Sequence, residues 1–256
     1  MSEFADLHRA GDPLFLPNAW DHASATALAE RGFRAIGTTS LGVAAAAGLP
    51  DGASATRAET LGLAVSLGSG AYLLSVDAEG GFSEGPDLVG EFARELAAVG
   101  AVGINLEDAL GPVERHAAKI AAVKSAAPGL FVNARTDTYW LGDGDERDTL
   151  RRLDAYQQAG ADGVFVPGLA DLDTIATLVR HVSVPLNILY TPTGPTVPQL
   201  ADLGVCRVSL GSLLYRRALG AALETATDVR AGRVTQGGTP SYEEVESWSR
   251  AGSDRG

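Results

Sequence analysis

The chain alternates between segments with helical spacing of apolar residues and short apolar runs. In each unit the helical segment ends at glycine and the apolar run begins within a few residues, as in AERGFRAIGTTS and QQAGADGVFVPG. Glycine favours the end of a helix, and an uninterrupted apolar run is typical of a strand buried on both faces. The pattern predicts parallel strands that are separated by helices.

Eight such runs occur, and the segment between each pair is long enough for a helix. The predicted strands are residues 14–19, 35–40, 72–77, 103–107, 130–135, 163–167, 186–189 and 207–211. Eight repeats of strand and helix predict a single α/β domain over residues 1–256, a (β/α)8 barrel of the TIM type, since no linker between two domains is visible.

The last part of the chain, residues 221–256, is predicted to extend the barrel as a helical tail. A glycine-rich break, VTQGGTPS, precedes a short helical segment that carries Tyr242, Val245 and Trp248 at helical spacing. No apolar groove for this segment is evident within the chain. We therefore expect the C-terminal helices to join subunits into a homo-oligomer, a dimer or a tetramer.

Composition and charge narrow the class of partner. The chain has 256 residues, of which 45% are hydrophobic, and a net charge of −12, which opposes binding to nucleic acids and to anionic membranes. No apolar stretch approaches the length of a membrane span and the first residues lack an apolar leader, so we expect a cytoplasmic protein. A small anionic substrate would need a locally positive site, such as a bound cation.

Carboxylates follow the predicted strands at the end of the barrel where active sites of this fold lie. Asp77, Glu79 and Glu107 come at or just after strand ends, and Asp51 lies in a nearby loop. Like charges at one barrel mouth repel each other unless a cation lies between them. Mg²⁺, with Mn²⁺ as a possible substitute, is the expected ion, bound directly by Asp77 and through water by the other three. The alternative is that these carboxylates cap the helices that follow them.

Arg135 ends the fifth predicted strand in the segment FVNARTD. Its planar guanidinium could hold a substrate carboxylate with two hydrogen bonds. The alternative is a structural ion pair with Asp137 or Glu107. After the second strand, the small residues of TTSLGVAAAAG would let a carboxylate or an oxyanion approach successive backbone N–H groups, although small residues also permit tight packing.

Several strings along the chain together resemble a known family. In order they are LPNAWD, AIGTTSLGVA with GLPDG following, SVDAEGG, GINLED, NARTD, GADGVFVPG, PLNIL and RVSLGS. Between residues 14 and 219 this series is similar to the isocitrate lyase and phosphoenolpyruvate (PEP) mutase superfamily, in particular to its small bacterial phosphonomutase-like members.

The resemblance implies a Mg²⁺ site and a bound 2-oxo acid or enolate. The metal residues would be Asp77, Glu79 and Glu107, with Asp77 as the direct ligand, and the catalytic candidates are Asp51, Glu107 and Arg135. The substrate-binding candidates are Ser40, Leu41 and Gly42 through their backbone amides, together with Asp77, Arg135 and Asn187. The shared chemistry is an enolate-like species that the cation stabilises.

The segment after the fourth strand departs from the family pattern. Isocitrate and methylisocitrate lyases carry a Lys-Lys/Arg-Cys-Gly-His motif there, and the phosphonate-forming mutases carry a Lys and an Asn-Ser pair, whereas this chain reads EDALGPVERHAAKI. His116 is the one candidate acid or base in this segment. We expect a Mg²⁺-dependent lyase for C–C cleavage, decarboxylation or hydrolysis of a small oxaloacetate-like acid. The alternatives are C–P bond chemistry of the PEP mutase type and a protein that binds a 2-oxo acid without turnover.

Overall fold

The computed structural model describes residues 2–234 and 237–250. Nine parallel strand segments form one sheet: β1 Leu14–Leu16, β2 Asn18–Ala19, β3 Ala35–Thr38, β4 Leu73–Asp77, β5 Ala101–Glu107, β6 Phe131–Arg135, β7 Gly163–Val166, β8 Leu186–Leu189 and β9 Arg207–Ser209. Each of the strands from β3 to β8 pairs with the next along the chain. The predicted (β/α)8 barrel is confirmed.

The first barrel strand is interrupted at Pro17, which separates β1 from β2. Proline has no N–H group and so breaks the ladder of backbone hydrogen bonds. Segment β1 pairs with β9 and segment β2 pairs with β3, and the Gly37 N–H donates to the Pro17 carbonyl at 2.8 Å. The two halves of this strand therefore connect β9 to β3 and close the ring of the barrel.

Eleven helices are present in the described part of the chain: α1 Glu3–Asp6, α2 His22–Glu30, α3 Ser40–Ala47, α4 Arg57–Leu67, α5 Pro86–Ala98, α6 Val113–Ala126, α7 Glu146–Gln158, α8 Leu172–His181, α9 Val197–Asp202, α10 Leu213–Arg230 and α11 Tyr242–Arg250. The predicted second strand, residues 35–40, ends earlier than expected, at Thr38. The segment TTSLGVAAAAG continues into α3, Ser40–Ala47, which is capped by Gly48 with a left-handed φ of 70° that favours glycine.

The N-terminal end of the barrel is closed by α1, which the sequence pattern did not predict. Phe4 is buried, and its ring packs edge to face on the ring of Phe131, with the centroids 5.4 Å apart. The His8 ring stacks on the Phe131 ring, with the centroids 4.4 Å apart. A Cβ on Gly103 would lie 2.7 Å from the Phe4 ring, so glycine is required beneath it. This end is filled and excludes a ligand.

The C-terminal helices differ from the barrel helices in their packing. No residue of α10 is buried, and Leu219 and Leu223 are among its exposed side chains. Helix α11 packs on α2, and the Trp248 Nε1–H donates to Glu30 Oε2 at 2.7 Å. The expectation that this segment has no partner in its own chain is therefore wrong. Residues 235–236 and 251–256 of the predicted tail lie outside the described residues.

Among the described residues, no helix is long and apolar enough to span a membrane.

Candidate active site

A cavity opens at the C-terminal end of the barrel, with about 610 Å³ of space including its opening to solvent. The lining residues are Asn18, Thr39, Ser40, Leu41, Asp51, Asp77, Asn105, Arg135, Trp140, Phe165, Pro167, Leu189, Ser209, Gly211 and Ser212. Five of the predicted site residues are therefore brought together here: Ser40, Leu41, Asp51, Asp77 and Arg135. The volume is that of a site for a small molecule.

Asp77 ends β4 and is fixed from β3 and α3. Its N–H donates to Thr38 Oγ1 at 2.8 Å, and its Oδ2 accepts from the Ser40 N–H at 3.2 Å. Because Ser40 is the first residue of α3, this hydrogen bond places the carboxylate at the free N–H groups of a helix. Burial raises the pKa of Asp77, while the nearby Arg135 opposes that rise.

Glu79 is buried and does not line the cavity. Its two oxygens accept from the Ser54 N–H at 3.0 Å and from Thr56 Oγ1 at 2.6 Å. Burial raises its pKa, and the Thr56 hydroxyl partly offsets this. In this structure Glu79 therefore holds the loop that carries Asp51 over the cavity.

Glu107 and Arg135 face each other at the ends of β5 and β6. Arg135 Nη1 lies 2.9 Å from Glu107 Oε2, and Arg135 Nε donates to Asp137 Oδ1 at 2.7 Å. Burial raises the pKa of Glu107 to about 8, although the Arg135 charge opposes this. The ion pairs given above as the alternative for Arg135 are thus present, and the guanidinium still lines the cavity.

Gly42 and Asn187 lie behind the cavity wall. Gly42 is in the first turn of α3, where a Cβ would come within 2.8 Å of Thr39 Cγ2 and 2.9 Å of Trp20 Cβ, so packing accounts for this glycine. Asn187 is buried, and its Oδ1 accepts from the Ser209 hydroxyl at 3.3 Å. Ser209 rather than Asn187 reaches the cavity surface.

The segment after β5 is a tight turn held by Asp108. One oxygen of Asp108 accepts from the Leu110 and Asp137 N–H groups, and the other accepts from Arg152 at 2.9 Å and Tyr156 at 2.7 Å. These donors lower the pKa of Asp108 although burial opposes ionisation. The turn is anchored to α7 and does not line the cavity.

His116, the candidate acid or base of this segment, is buried beneath the turn. Its ring packs edge to face on Tyr156 with the centroids 4.6 Å apart, and burial lowers its pKa to about 4. It lines a second cavity on the other side of Glu107, together with Lys119, and not the cavity that holds Asp77. His116 is therefore a packing residue in this structure.

Two aromatic residues of the cavity were not among the candidates. Trp140 is 55% exposed beside the cavity, and the Arg135 guanidinium lies 5.9 Å from the centre of the Phe165 ring. Both come from the C-terminal ends of strands or the loops after them, so the rule that selected the carboxylates could have found them. Aromatic side chains give no such signal of their own, because they are also common in a core.

The donor chemistry fits Mg²⁺ with few direct protein ligands. In the described part of the chain, no three His, Cys, Asp or Glu side chains are arranged to hold one metal ion, so Asp77, Glu79 and Glu107 do not form a ready set of direct ligands. Mg²⁺ commonly takes one or two carboxylates and keeps several waters, whereas structural Zn²⁺ needs four protein ligands. The raised pKa values of the buried carboxylates Asp77 and Glu107 also favour a cation.

Comparison with known proteins gives consistent matches over the barrel. The sequence profile of the family described as phosphoenolpyruvate phosphomutase matches residues 4–230. The 2-methylisocitrate lyase of Bacillus subtilis is 33% identical over 213 residues, 78% of this chain and 70% of that protein. The oxaloacetate decarboxylase of Pseudomonas entomophila is 31% identical over 243 residues, 86% and 81% of the two chains. A crystal structure from Burkholderia cenocepacia is 37% identical, with a TM-score of 0.86 and coverage of 97% and 94%.

Proposed function

Because the chain belongs to the phosphoenolpyruvate phosphomutase family, within the isocitrate lyase and PEP mutase superfamily, we propose that it is a Mg²⁺-dependent lyase. Its substrate is a small 2-oxo or 2-hydroxy dicarboxylic acid similar to oxaloacetate. One observation carries this proposal: Asp77, Arg135 and the start of α3 meet in a single small cavity. That combination provides a cation ligand, a carboxylate clamp and backbone donors for an oxyanion.

Arg135 would orient the substrate by its carboxylate. Its guanidinium is held by Glu107 and Asp137, so its position does not depend on a ligand. The N–H groups at the start of α3, near Ser40 and Leu41, would donate to a second oxygen of the substrate. Asp51 lies at the exposed edge of the cavity, where it can hold a water or accept a proton.

The metal would be held by Asp77 directly and by Glu79, Glu107 and Asp51 through water. When bound, Mg²⁺ supplies positive charge that stabilises the negative charge developing on the 2-oxo oxygen of the substrate. Glu79 would keep its present hydrogen bonds to Ser54 and Thr56, so that the loop bearing Asp51 stays in place.

The turn after β5 favours cleavage, decarboxylation or hydrolysis of an oxaloacetate-like acid over the other reactions of the superfamily. Isocitrate cleavage and phosphonopyruvate formation both use side chains from this segment. In this chain the segment is a short turn in which Asp108 accepts hydrogen bonds from the Leu110 N–H and from Arg152. One relative is named oxaloacetate decarboxylase, which supports this choice. Another is named 2-methylisocitrate lyase, so that substrate belongs in the test.

Turnover of a panel of acids with Mg²⁺ and with EDTA tests the proposal. The panel is oxaloacetate, malate, isocitrate, 2-methylisocitrate and phosphonopyruvate, each followed by product release above the spontaneous rate. We expect Mg²⁺-dependent turnover of an oxaloacetate-like acid only. Turnover of phosphonopyruvate would favour C–P chemistry, and Mg²⁺-dependent binding of 2-oxo acids without turnover would favour a binding protein. If the protein neither bound nor turned over any of these acids, the lyase proposal and the binding-protein alternative would both be wrong.

A further inference from the structure

Asn105 is a polar residue of the cavity that no step above uses. It lies on β5 between Asp77 of β4 and Asn133 of β6, each its partner in the strand register. Its side chain is 8% exposed and lines the cavity. An amide at this depth can present either an acceptor oxygen or a donor nitrogen to a ligand, so its orientation decides what it binds.

The surrounding side chains fix that orientation. Asn105 Oδ1 accepts from Asn133 Nδ2 at 2.8 Å and from Arg207 Nη2 at 3.2 Å. A guanidinium has donors and no acceptor, so the atom of Asn105 that faces Arg207 must be the oxygen. The amide nitrogen then points away from Arg207, and no acceptor among the described residues receives a hydrogen bond from it.

Arg207 is an unusual neighbour because it is charged and fully enclosed by the barrel. It is 1% exposed, and its Nε and Nη1 have no partner among the described residues. Burial lowers its pKa to about 9, and Asp77 acts against that change. A buried cation with unused donors is costly, and the one side-chain hydrogen bond that Arg207 makes among the described residues goes to Asn105.

We propose that Asn105 determines specificity by donating an Nδ2–H hydrogen bond to an oxygen of the ligand, and that Arg207 is the positioning residue that keeps this donor turned to the cavity. The inference rests on the proposed function. The ligand class is an acid with an acceptor oxygen next to its carboxylate, since Arg135 holds the carboxylate. An ammonium group in place of that oxygen would meet donors and the Arg207 charge, so 2-amino acids are rejected.

Oxalate binding in the presence of Mg²⁺, measured by calorimetry, tests the proposal without turnover. Asn105→Leu removes the donor without adding charge, and Asn105→Asp keeps the oxygen that faces Arg207 while replacing the donor with an acceptor. We expect the Kd for oxalate to rise about 10- to 100-fold in both, the effect of one hydrogen bond to a charged group. Mn²⁺ binding without oxalate should stay within about threefold in Asn105→Leu, because this variant leaves the carboxylates of the cavity unchanged.

A double-mutant cycle tests the role of Arg207. If Arg207 acts by orienting Asn105, then Arg207→Met weakens oxalate binding in the wild type and adds nothing to Asn105→Leu. Additive effects would overturn the positioning role. Ser75→Ala is the matched control. Ser75 is buried in the barrel interior two residues before Asp77 on β4, and its hydroxyl has no partner among the described residues. It should leave oxalate binding unchanged.

Three further outcomes are distinguishable. If the wild type binds oxalate and both Asn105 variants bind it equally well, the inference about Asn105 is wrong while the proposed function stands. If the wild type does not bind oxalate with Mg²⁺, the proposed function and the inference fall together. A variant that loses Mn²⁺ binding as well as oxalate binding would assign Asn105 a structural role, against the proposal.

Discussion

The two ends of the barrel are built from the same strands and hold opposite kinds of side chain. At the N-terminal end Phe4, His8 and Phe131 fill the interior with stacked rings. At the C-terminal end Asp77 and Arg135 line a cavity, and burial raises the pKa of Asp77. One end is therefore packed as a core, whereas the other keeps charged groups partly desolvated around open space.

This difference assigns the stability of the fold to the closed end of the barrel and the binding of ligands to the open end. Apolar packing at the closed end stabilises the fold without any ligand. Carboxylates at the open end repel each other and favour the folded state only when a cation or Arg135 compensates their charge. Changes at the closed end should affect stability alone, and changes at the open end should affect binding and activity.

The largest expected effect is at the open end, from Asp77→Asn. Removing the direct metal ligand should lower activity on a 2-oxo acid at least about 1,000-fold and abolish the rise in melting temperature on adding Mg²⁺ with oxalate. Thermal melting and steady-state kinetics measure both. The control is Asp154→Asn, which changes an exposed ion pair with His181. Mg²⁺-linked stabilisation that persists in Asp77→Asn would contradict the metal assignment.

At the closed end, Phe4→Ala should destabilise the protein by about 3–5 kcal/mol, because it empties a fully buried aromatic site. Urea unfolding measures this loss, and activity below the melting temperature should stay unchanged. Leu88→Ala is the control, since Leu88 is 58% exposed and its loss should cost less than about 0.5 kcal/mol. Equal losses in the two variants would mean that α1 does not seal the barrel.

Arg135→Lys keeps the positive charge at the open end and removes the planar guanidinium, which can make two parallel hydrogen bonds to a carboxylate. We expect oxalate to bind about 1–3 kcal/mol more weakly, because an ammonium cannot make the paired hydrogen bonds of a guanidinium. Arg57→Lys serves as the control, since Arg57 pairs with Glu95 on exposed helix surfaces. Unchanged oxalate affinity in Arg135→Lys would exclude Arg135 as the carboxylate clamp.

The smallest effect concerns α10, which leaves the open end of the barrel. Leu223 is 71% exposed on a helix with no buried residue, and we propose that this face joins subunits. Leu223→Glu should lower the mass measured by light scattering with little change in the unfolding free energy. Val65→Glu places the same charge at another exposed apolar residue and should leave the mass unchanged. A monomeric wild type would rule out the proposed association.

Strand positions and strand-end candidates could be predicted from the sequence because they depend on local patterns. Apolar runs after helix-ending glycines gave the barrel strands, and the fold rule then selected residues such as Asp77 and Arg135. The closing helix α1 could not be predicted, since its four residues have no period to detect. The start of α3 at Ser40 was missed because Ser40 was placed at the end of the second predicted strand, residues 35–40.

The sequence by itself determined the alternation of strands and helices and the end of the barrel at which the charged residues lie. Both depend on residue spacing along the chain and on the parallel direction of the strands. Only the tertiary structure decided that Glu79 supports a loop, that His116 is buried away from the cavity and that Arg207 turns the Asn105 amide. These roles depend on contacts between residues far apart in the chain, up to 102 positions for Asn105 and Arg207, and no local pattern encodes such distances.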